Sequence, residues 1–518
     1  MNRVSKNVFL VLFFITGMGL FFANNSIPLL DPAEPVCAEI AREMAESQDY
    51  LIPRLYGVYL LDTCPLYFWF AAGAFHIFGV SEFAARFVSA VMAVLTVMMV
   101  YISATLLWNE RVGFWSGMIL CSSLLIFYAG KTSGTETTRL FFITGALLCF
   151  LLELYWPVYI FCGLGILVWG LSGLLLPFAV IIPYCVLTGH TSVLKRIHLL
   201  PGLLLAGILC SPWFILMYEA YGMEFLRYAF WVDNVFGAGI RLVFPMAGCR
   251  YYIPVLLAGI FPWTGLLLKS VKDGICESKT VDLQRNLFLL LWWILPLLYF
   301  CFRDTGQIYV TLVSFPAIAV LISWNIERMV REDKNNFKSW AFLSILSYLT
   351  ASVFWVAGGQ KMPELEFGAI VLGSVTLMLG IGVAVSLLVY KDGMLAAWLH
   401  AATGILTMII AYTFLLPVAA PYFSVKDAAV HFDNITADVH RKVYIENFLR
   451  PGFMFYAQMP GVGLDFGKPG DIQTLLGDRE SKYMVIRRST FDTMGNQGNA
   501  ASWHLLEERK GICIFEEK

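Results

Sequence analysis

The 518-residue chain has few charged residues, which make up 14% of it, whereas a soluble domain has about 25%. Hydrophobic residues make up 58%, many of them in runs long enough to cross a membrane. The formal net charge of -1 gives no basic excess of the kind that nucleic-acid-binding proteins carry, which argues against a nucleic acid partner. The composition indicates a polytopic membrane protein.

Motifs for nucleotide and metal chemistry are absent from the sequence. It has no Walker A loop, no GxGxxG and no nucleophile elbow, so a nucleotide-sugar donor on a Rossmann domain is not expected. The eleven cysteines are scattered without CxxC spacing. Of the seven histidines only His76 lies between residues 24 and 82, which argues against a multi-histidine zinc site there.

Apolar runs predict thirteen transmembrane helices. The runs lie near residues 8–23, 83–107, 112–129, 139–153, 156–170, 171–187, 199–218, 251–268, 287–302, 308–323, 340–358, 366–389 and 395–416. With the N-terminus inside, Lys and Arg then fall on one side of the membrane throughout, as the positive-inside rule requires. This topology places residues 24–82 in a large outer loop, in which residues 64–79 form an interfacial helix.

Hydropathy falls from about residue 419, where the pattern becomes that of a small α/β domain. Four β-type runs are 442–445, 452–457, 483–486 and 512–515, and helical stretches are 424–432 and 471–476. We therefore predict two domains, a transmembrane domain of residues 1–418 with the outer loop 24–82, and an outer domain of residues 419–518.

The segment "LLDPAEPVCAEIAREM", residues 29–44, begins the outer loop with several acids. One interpretation is structural, with Asp31 as N-cap, Pro32 at the first helical position and an amphipathic surface helix after it. The polar face of that helix is expected to be solvated, and it carries Glu39, Glu43 and Glu46. The other interpretation is a carboxylate cluster that performs chemistry. The two compete, because a capping carboxylate is stabilised as an anion and is a weaker base.

Four segments follow one another in the first ninety residues: Asp31 with Glu34, Ala38–Met44, Asp62–Trp69 and Phe78–Arg86. Their order and spacing resemble the opening of the lipid-carrier-dependent glycosyltransferases of the GT-C superfamily, which include the aminoarabinose transferase of lipid A and the protein O-mannosyltransferases. The resemblance implies an α-helical polytopic membrane protein of about 13 transmembrane helices, with interfacial helices and a small periplasmic C-terminal α/β domain.

The function implied by this resemblance is transfer of a hexosyl or pentosyl group from a polyprenyl-phosphate donor. The acceptor would be a lipid A-like glycolipid, a glycan or a protein at the periplasmic face of a bacterial inner membrane, with membrane lipid around the site. The alternative is a divergent family member that binds lipid-linked glycan without transfer. A secondary transporter would show internal repeats, and the sequence has no convincing repeat.

The resemblance implies three catalytic candidates, namely Asp31, Glu34 and Glu136, where Glu136 takes the place of a family Asp before an apolar span. The substrate-binding candidates are Arg54, Asp62, Thr63, Tyr67, Lys131 and Arg303. Basic side chains among them would stabilise a departing phosphate, although snorkelling at the interface is the alternative explanation.

The segment 62–65 departs from the family pattern at two positions. Thr63 stands where the family has a Lys expected to grip the donor phosphate, and Cys64 replaces the first Pro. No cofactor is certain. A Mg²⁺ ion held by Asp31, Asp62 and Glu136 is a further expectation, because carboxylates are the ligands that Mg²⁺ prefers.

Overall fold

The structure is a computed structural model, and its chain forms two compact units. It describes residues 17, 19, 21–23, 26–189, 196–229, 246–276, 280–303, 308–331, 337–435, 442–466, 468–477, 482–495 and 503–517. The units are Met1–Ala23, Leu61–Tyr67 and Arg86–Thr413 (the helical unit), and Asn24–Leu60, Phe68–Ala85 and Phe414–Lys518 (the mixed unit). This division differs from the predicted domains 1–418 and 419–518, because most of the loop 24–82 packs with the C-terminal segment.

The helical unit is a bundle of apolar helices. Their bounds are Glu82–Leu107, Glu110–Cys121, Leu124–Gly130, Glu136–Leu151, Tyr155–Trp169, Ser172–Leu187, Leu199–Arg227, Met246–Gly259, Thr264–Cys276, Thr280–Arg303, Phe315–Arg331, Lys338–Gly359, Pro363–Val385 and Gly393–Ile410. Among the described residues, seven helices are long and apolar enough to cross a membrane, or up to nine if two bent pairs each count as one. The first predicted span lies mostly outside the described residues, and the count of thirteen stays a prediction.

Two predicted spans, 112–129 and 251–268, are broken in the structure. The first bends by 65° and the second by 105°. At the first break the hydroxyls of Ser122 and Ser123 donate to carbonyls one turn earlier, at 2.6 and 2.5 Å, an alternative to continued helical pairing. At the second, Pro262 has no N–H to continue the ladder. Trp263 Nε1 donates to Ser122 Oγ at 2.9 Å, so the two breaks are joined.

The mixed unit contains shorter helices and two sheets. Its helices are Ala33–Ser47, Leu66–Phe78, Leu416–Ala419, Lys426–Ile435, Arg450–Ala457, Pro469–Gly477 and Arg488–Gly495. A two-stranded hairpin pairs β1 (Arg54–Leu55) with β2 (Val58–Tyr59). The second sheet has the order β4-β3-β5-β7-β6. Its strands are β3 (Lys442–Glu446), β4 (Val462–Leu464), β5 (Lys482–Arg487), β6 (Trp503–Arg509) and β7 (Ile512–Glu517).

Both faces of this five-stranded sheet are covered by apolar clusters. Val443 and Ile445 of β3 belong to one cluster, whereas Tyr444, which lies between them, belongs to the other. The strands β3, β4 and β5 are parallel, and β7 joins them antiparallel. Alternate side chains of a strand point to opposite faces, so continuous apolar runs such as 483–486 suit a sheet buried on both sides. The α/β class predicted for the C-terminal segment is confirmed.

One predicted strand, 452–457, is wrong. This stretch is a helix, Arg450–Ala457, with Pro451 in its first turn. Proline is favoured there because its missing N–H would have had no helical partner. A six-residue apolar run has no periodicity that separates a strand from a buried helix, and in the fold residues 451–455 are buried one after another.

Candidate active site

Asp31 does not cap the helix that follows it. The helix begins at Ala33 after Pro32, and it has no side-chain cap. Instead, the Asp31 carboxylate accepts a hydrogen bond from the backbone N–H of Val425 at 2.7 Å, and its own N–H donates to the Phe423 carbonyl at 2.8 Å. The capping interpretation is therefore wrong, and the carboxylate is held by a segment almost four hundred residues away in sequence.

The surroundings of Asp31 make its carboxyl a stronger base than usual. Burial raises the pKa of Asp31 well above its usual range, and the charge of Glu34 adds to this effect, whereas the backbone amides of Val425 and Gly452 lower it by less. Oδ1 is buried against Gly452, where a Cβ would overlap it, and has no hydrogen bond of good geometry within the described structure. The arrangement therefore holds one carboxylate oxygen at Val425 and buries the other against Gly452.

Glu34 has a structural contact at the start of the helix. Its Oε2 accepts a hydrogen bond from the backbone N–H of Leu30 at 2.8 Å, three residues before the helix begins at Ala33. Glu34 is buried beside Asp31 and contributes to the electrostatics of that carboxyl. Glu34 therefore fixes the chain that leads into the helix, whereas the Asp31 carboxylate bonds to the distant Val425.

The expected solvated face of this helix is only partly solvated. Glu39 is fully buried and pairs with Arg42 through two hydrogen bonds of 2.6 and 2.8 Å. Glu46 is exposed and also binds Arg42, at 2.7 Å. Glu43 accepts hydrogen bonds from the backbone amides of Tyr56 and Gly57 at 2.5 and 3.0 Å. The prediction of a solvated face is wrong for Glu39, because the chain that covers it is distant in sequence.

A second network fastens the segment that leads into Asp31. The Leu29 N–H donates to the Tyr456 hydroxyl at 2.8 Å, and that hydroxyl donates to Glu82 at 3.3 Å. Glu82 also pairs with Lys426 at 2.5 Å. The sequence singled out neither Lys426 nor Tyr456 as a member of this site.

Arg450, which the sequence did not single out, lies over the ring of Tyr56 at 3.9 Å from its centre. Tyr56 is a non-glycine residue with a φ of 59°, held there by the Glu43 contacts to the turn. Its ring is electrostatically coupled to Asp31. Arg54, a predicted substrate-binding residue, pairs with Asp49 and stacks on Tyr59 at 4.7 Å. Its substrate-binding role stays a prediction.

In the helical unit, Glu136 begins the helix Glu136–Leu151 and folds back over the preceding turn. A Cβ at Gly134 would overlap the Glu136 carboxylate, so the glycine leaves room for this conformation. The turn is fixed from the other side, because Ser89 Oγ donates to the Gly134 carbonyl at 3.0 Å. Glu136 lines a small cavity with Arg139, Trp169, Tyr309, Val310, Leu312 and Val313.

Replacing Gly134 with Ala is expected to lower activity about 10- to 100-fold while leaving the fold intact, because the new methyl group displaces only the flexible end of Glu136. The measurement is the rate, with the purified full chain, of the sugar transfer that the resemblance implies. Gly73→Ala is the matched control, since no atom lies within 4 Å of a Cβ built there. Equal rates for both variants would contradict a role for the position of Glu136.

The remaining candidates of the helical unit differ in how accessible they are. Asp62 is exposed and accepts a hydrogen bond from Thr63 Oγ1 at 3.2 Å. Tyr67 is fully buried, with its hydroxyl 3.3 Å from Ser133 Oγ. Arg303 is the last residue of the helix Thr280–Arg303, and its side chain lies outside the described part.

Lys131 is buried at the end of a short helix. Its Nζ donates to the Ala23 carbonyl and lies 4.7 Å from the centre of the Tyr412 ring. Burial lowers the pKa of Lys131 to about 7, helped by the nearby charge of Arg86. This environment differs from snorkelling, in which the ammonium stays in water.

Comparisons with known proteins agree with this architecture. A family model described as dolichyl-phosphate-mannose-protein mannosyltransferase matches residues 62–216. The chain is 29% identical over 330 residues to the undecaprenyl phosphate-alpha-4-amino-4-deoxy-L-arabinose arabinosyl transferase of Aeromonas hydrophila, in an alignment that covers 61% of this chain and 60% of that protein. The chain thus spans about three fifths of the length of the curated relatives it matches.

Solved structures show the same fold. The crystal structure of ArnT from Cupriavidus metallidurans in the apo state has a TM-score of 0.78 at 17% identity, over 99% of this chain and 98% of that one. The structure of that protein bound to undecaprenyl phosphate also has a TM-score of 0.78, at 16% identity, over 98% of this chain and 97% of that one. The chain is thus similar in sequence to lipid-carrier-dependent glycosyltransferases, and it has the fold of ArnT.

These similarities confirm the resemblance found in the sequence and the multi-pass membrane architecture. It does not test the individual site residues. Among the residues with described positions, no group of three or more His, Cys, Asp or Glu could hold a metal ion. The Mg²⁺ expected at Asp31, Asp62 and Glu136 therefore stays a prediction.

Proposed function

We propose that this protein transfers a sugar from a polyprenyl-phosphate donor to an acceptor at the periplasmic face of a bacterial inner membrane. The observation that carries the proposal is the environment of Asp31. Its carboxyl is buried, has a raised pKa, accepts a hydrogen bond from Val425 and does not cap its own helix. A carboxylate placed in this way suits proton transfer better than structural support.

In the proposed reaction the acceptor oxygen attacks the anomeric carbon of the donor sugar. The bond between that carbon and the phosphate oxygen breaks, and the polyprenyl phosphate leaves with the electron pair. Asp31 takes the proton of the attacking hydroxyl, which it does more readily because its pKa is raised. Basic side chains stabilise the charge on the leaving phosphate.

The donor class is supported by the names of related proteins. The Aeromonas hydrophila relative is described as using undecaprenyl phosphate-linked 4-amino-4-deoxy-L-arabinose, and the Cupriavidus metallidurans structure has undecaprenyl phosphate bound. We therefore propose a pentose on undecaprenyl phosphate as the first donor to test. Acceptors to test are a glycolipid, a glycan and a protein.

The experiment uses the full chain in membranes with undecaprenyl phosphate-linked 4-amino-4-deoxy-L-arabinose labelled in the sugar. We expect label to move to an acceptor fraction while undecaprenyl phosphate is released. Binding of the donor without release, for every acceptor fraction supplied, would contradict transfer and would favour the divergent family member that binds lipid-linked glycan only. The readout therefore separates the two functions.

A further inference from the structure

Arg139 places a guanidinium group in the cavity that Glu136 lines. Its Cζ lies 5.1 Å from the centre of the Trp169 ring, so the aromatic face supports the charged group. Its Nε is buried without a hydrogen-bond partner in the described structure. A buried charged donor without a partner is costly, and a ligand anion would satisfy it.

The guanidinium also lies beside the segment that departs from the family pattern. Burial raises the pKa of the Cys64 thiol to about 11, and this rise is opposed by a backbone contact with Gly170 and by the charge of Arg139. Arg139 is therefore electrostatically coupled to the residue that follows Thr63. Trp169, which contacts the guanidinium, directly precedes Gly170. The ring beside Arg139 and the backbone beside Cys64 therefore come from neighbouring residues of the helical unit.

We propose that Arg139 binds the phosphate of the lipid-linked donor. It would replace the phosphate-binding lysine that the family has at the position of Thr63. This inference rests on the proposed function, which supplies the phosphate. A guanidinium group presents a planar set of donors that can bind two phosphate oxygens at once. Arg139 lines the same cavity as Trp169, so a phosphate bound there would lie beside these donors.

The charge balance of the cavity is consistent with this role. Glu136 lies one helical turn from Arg139, and no ion pair joins the two side chains within 4.0 Å in the described structure. Asp62 is exposed and bonded to Thr63. Arg139 therefore keeps its charge available for a phosphate that gains charge when the sugar leaves.

Binding of undecaprenyl phosphate alone to the purified full chain tests the inference without any transfer step. We expect Arg139→Gln to weaken this binding about 10- to 100-fold, the loss for one charge-assisted partner, and Arg139→Lys to retain part of it. Arg285→Gln is the matched control, because Arg285 also stacks on a tryptophan, Trp108, at 5.4 Å. Its binding should equal that of the unchanged protein.

The double variant Thr63→Lys with Arg139→Gln provides a rescue. We expect the double variant to bind undecaprenyl phosphate more tightly than Arg139→Gln alone, by up to the factor that Arg139→Gln loses. Unchanged binding in Arg139→Gln would overturn the inference. A loss that neither Arg139→Lys nor Thr63→Lys relieves would also overturn it, since charge at this place would then not matter. If the unchanged protein binds undecaprenyl phosphate but transfers no sugar, only the proposed function fails.

Discussion

Replacing Asp31 with Asn is expected to lower the transfer rate by about 10²- to 10⁴-fold, the usual contribution of a general base. Asn keeps the size of the side chain and an oxygen for the Val425 N–H, but it cannot take a proton. The measurement is kcat and kcat/KM with the labelled undecaprenyl phosphate-linked sugar. Glu46→Gln is the control, because Glu46 is an exposed acid on the helix that follows Asp31.

A glycine variant separates the position of this carboxyl from its presence. In Gly452→Ala the new Cβ overlaps Asp31 Oδ1 and crowds Val425, so the carboxyl moves while its charge remains. We expect Gly452→Ala to lower the transfer rate too, but by less than Asp31→Asn does. Full activity in both Asp31→Asn and Gly452→Ala would remove Asp31 from the mechanism.

The pH dependence of transfer follows from the raised pKa of Asp31. A base must be unprotonated to act, so activity falls as pH drops through the pKa of Asp31 in the folded protein. Since burial raises this pKa, the acidic limb of kcat/KM should lie at higher pH than for an ordinary aspartate. A limb at the usual aspartate position would contradict the assignment of Asp31 as the base.

Replacing Arg42 with Met is expected to destabilise the protein by about 3–5 kcal/mol, because Glu39 would remain as an unpaired buried charge. The measurement is the thermal unfolding midpoint of the full chain in detergent. Glu46→Gln is again the control, since it removes only the exposed partner of Arg42 and should shift the midpoint little.

Acid should reduce the effect of Arg42→Met. Burial raises the pKa of Glu39 even with Arg42 present, and without the arginine the carboxyl loses the partner that lowers its pKa. A group whose folded pKa is raised adds stability below its unfolded pKa, and that stability is lost as pH rises through the folded pKa. The difference between variant and unchanged protein should therefore shrink as pH falls. A difference that does not change with pH would point to lost packing of the Arg42 stem.

The elements that follow from apolar or β-type runs could be predicted from the sequence, whereas bends within helices could not. The helices of the membrane bundle follow from apolar runs, but the bends at residues 122–123 and 260–263 do not. Hydropathy indicates how long an apolar segment is, but it carries no information on the direction of the helix axis. The strands 442–446, 482–487 and 512–517 were predictable from β-type runs, whereas 452–457 looks the same in sequence and folds as a helix.

By itself the sequence determined the membrane class, the order of the family segments and the choice of Asp31 and Glu136 as acids worth testing. The membrane class depends on composition, whereas the choice of the two acids depends on the resemblance to the glycosyltransferase family. Only the tertiary structure decided that Asp31 is held by Val425, that Glu39 is buried with Arg42 and that Arg139 lies beside Cys64. The burial and the electrostatic environment of a side chain depend on the residues that surround it in the fold, and the local sequence does not identify those residues.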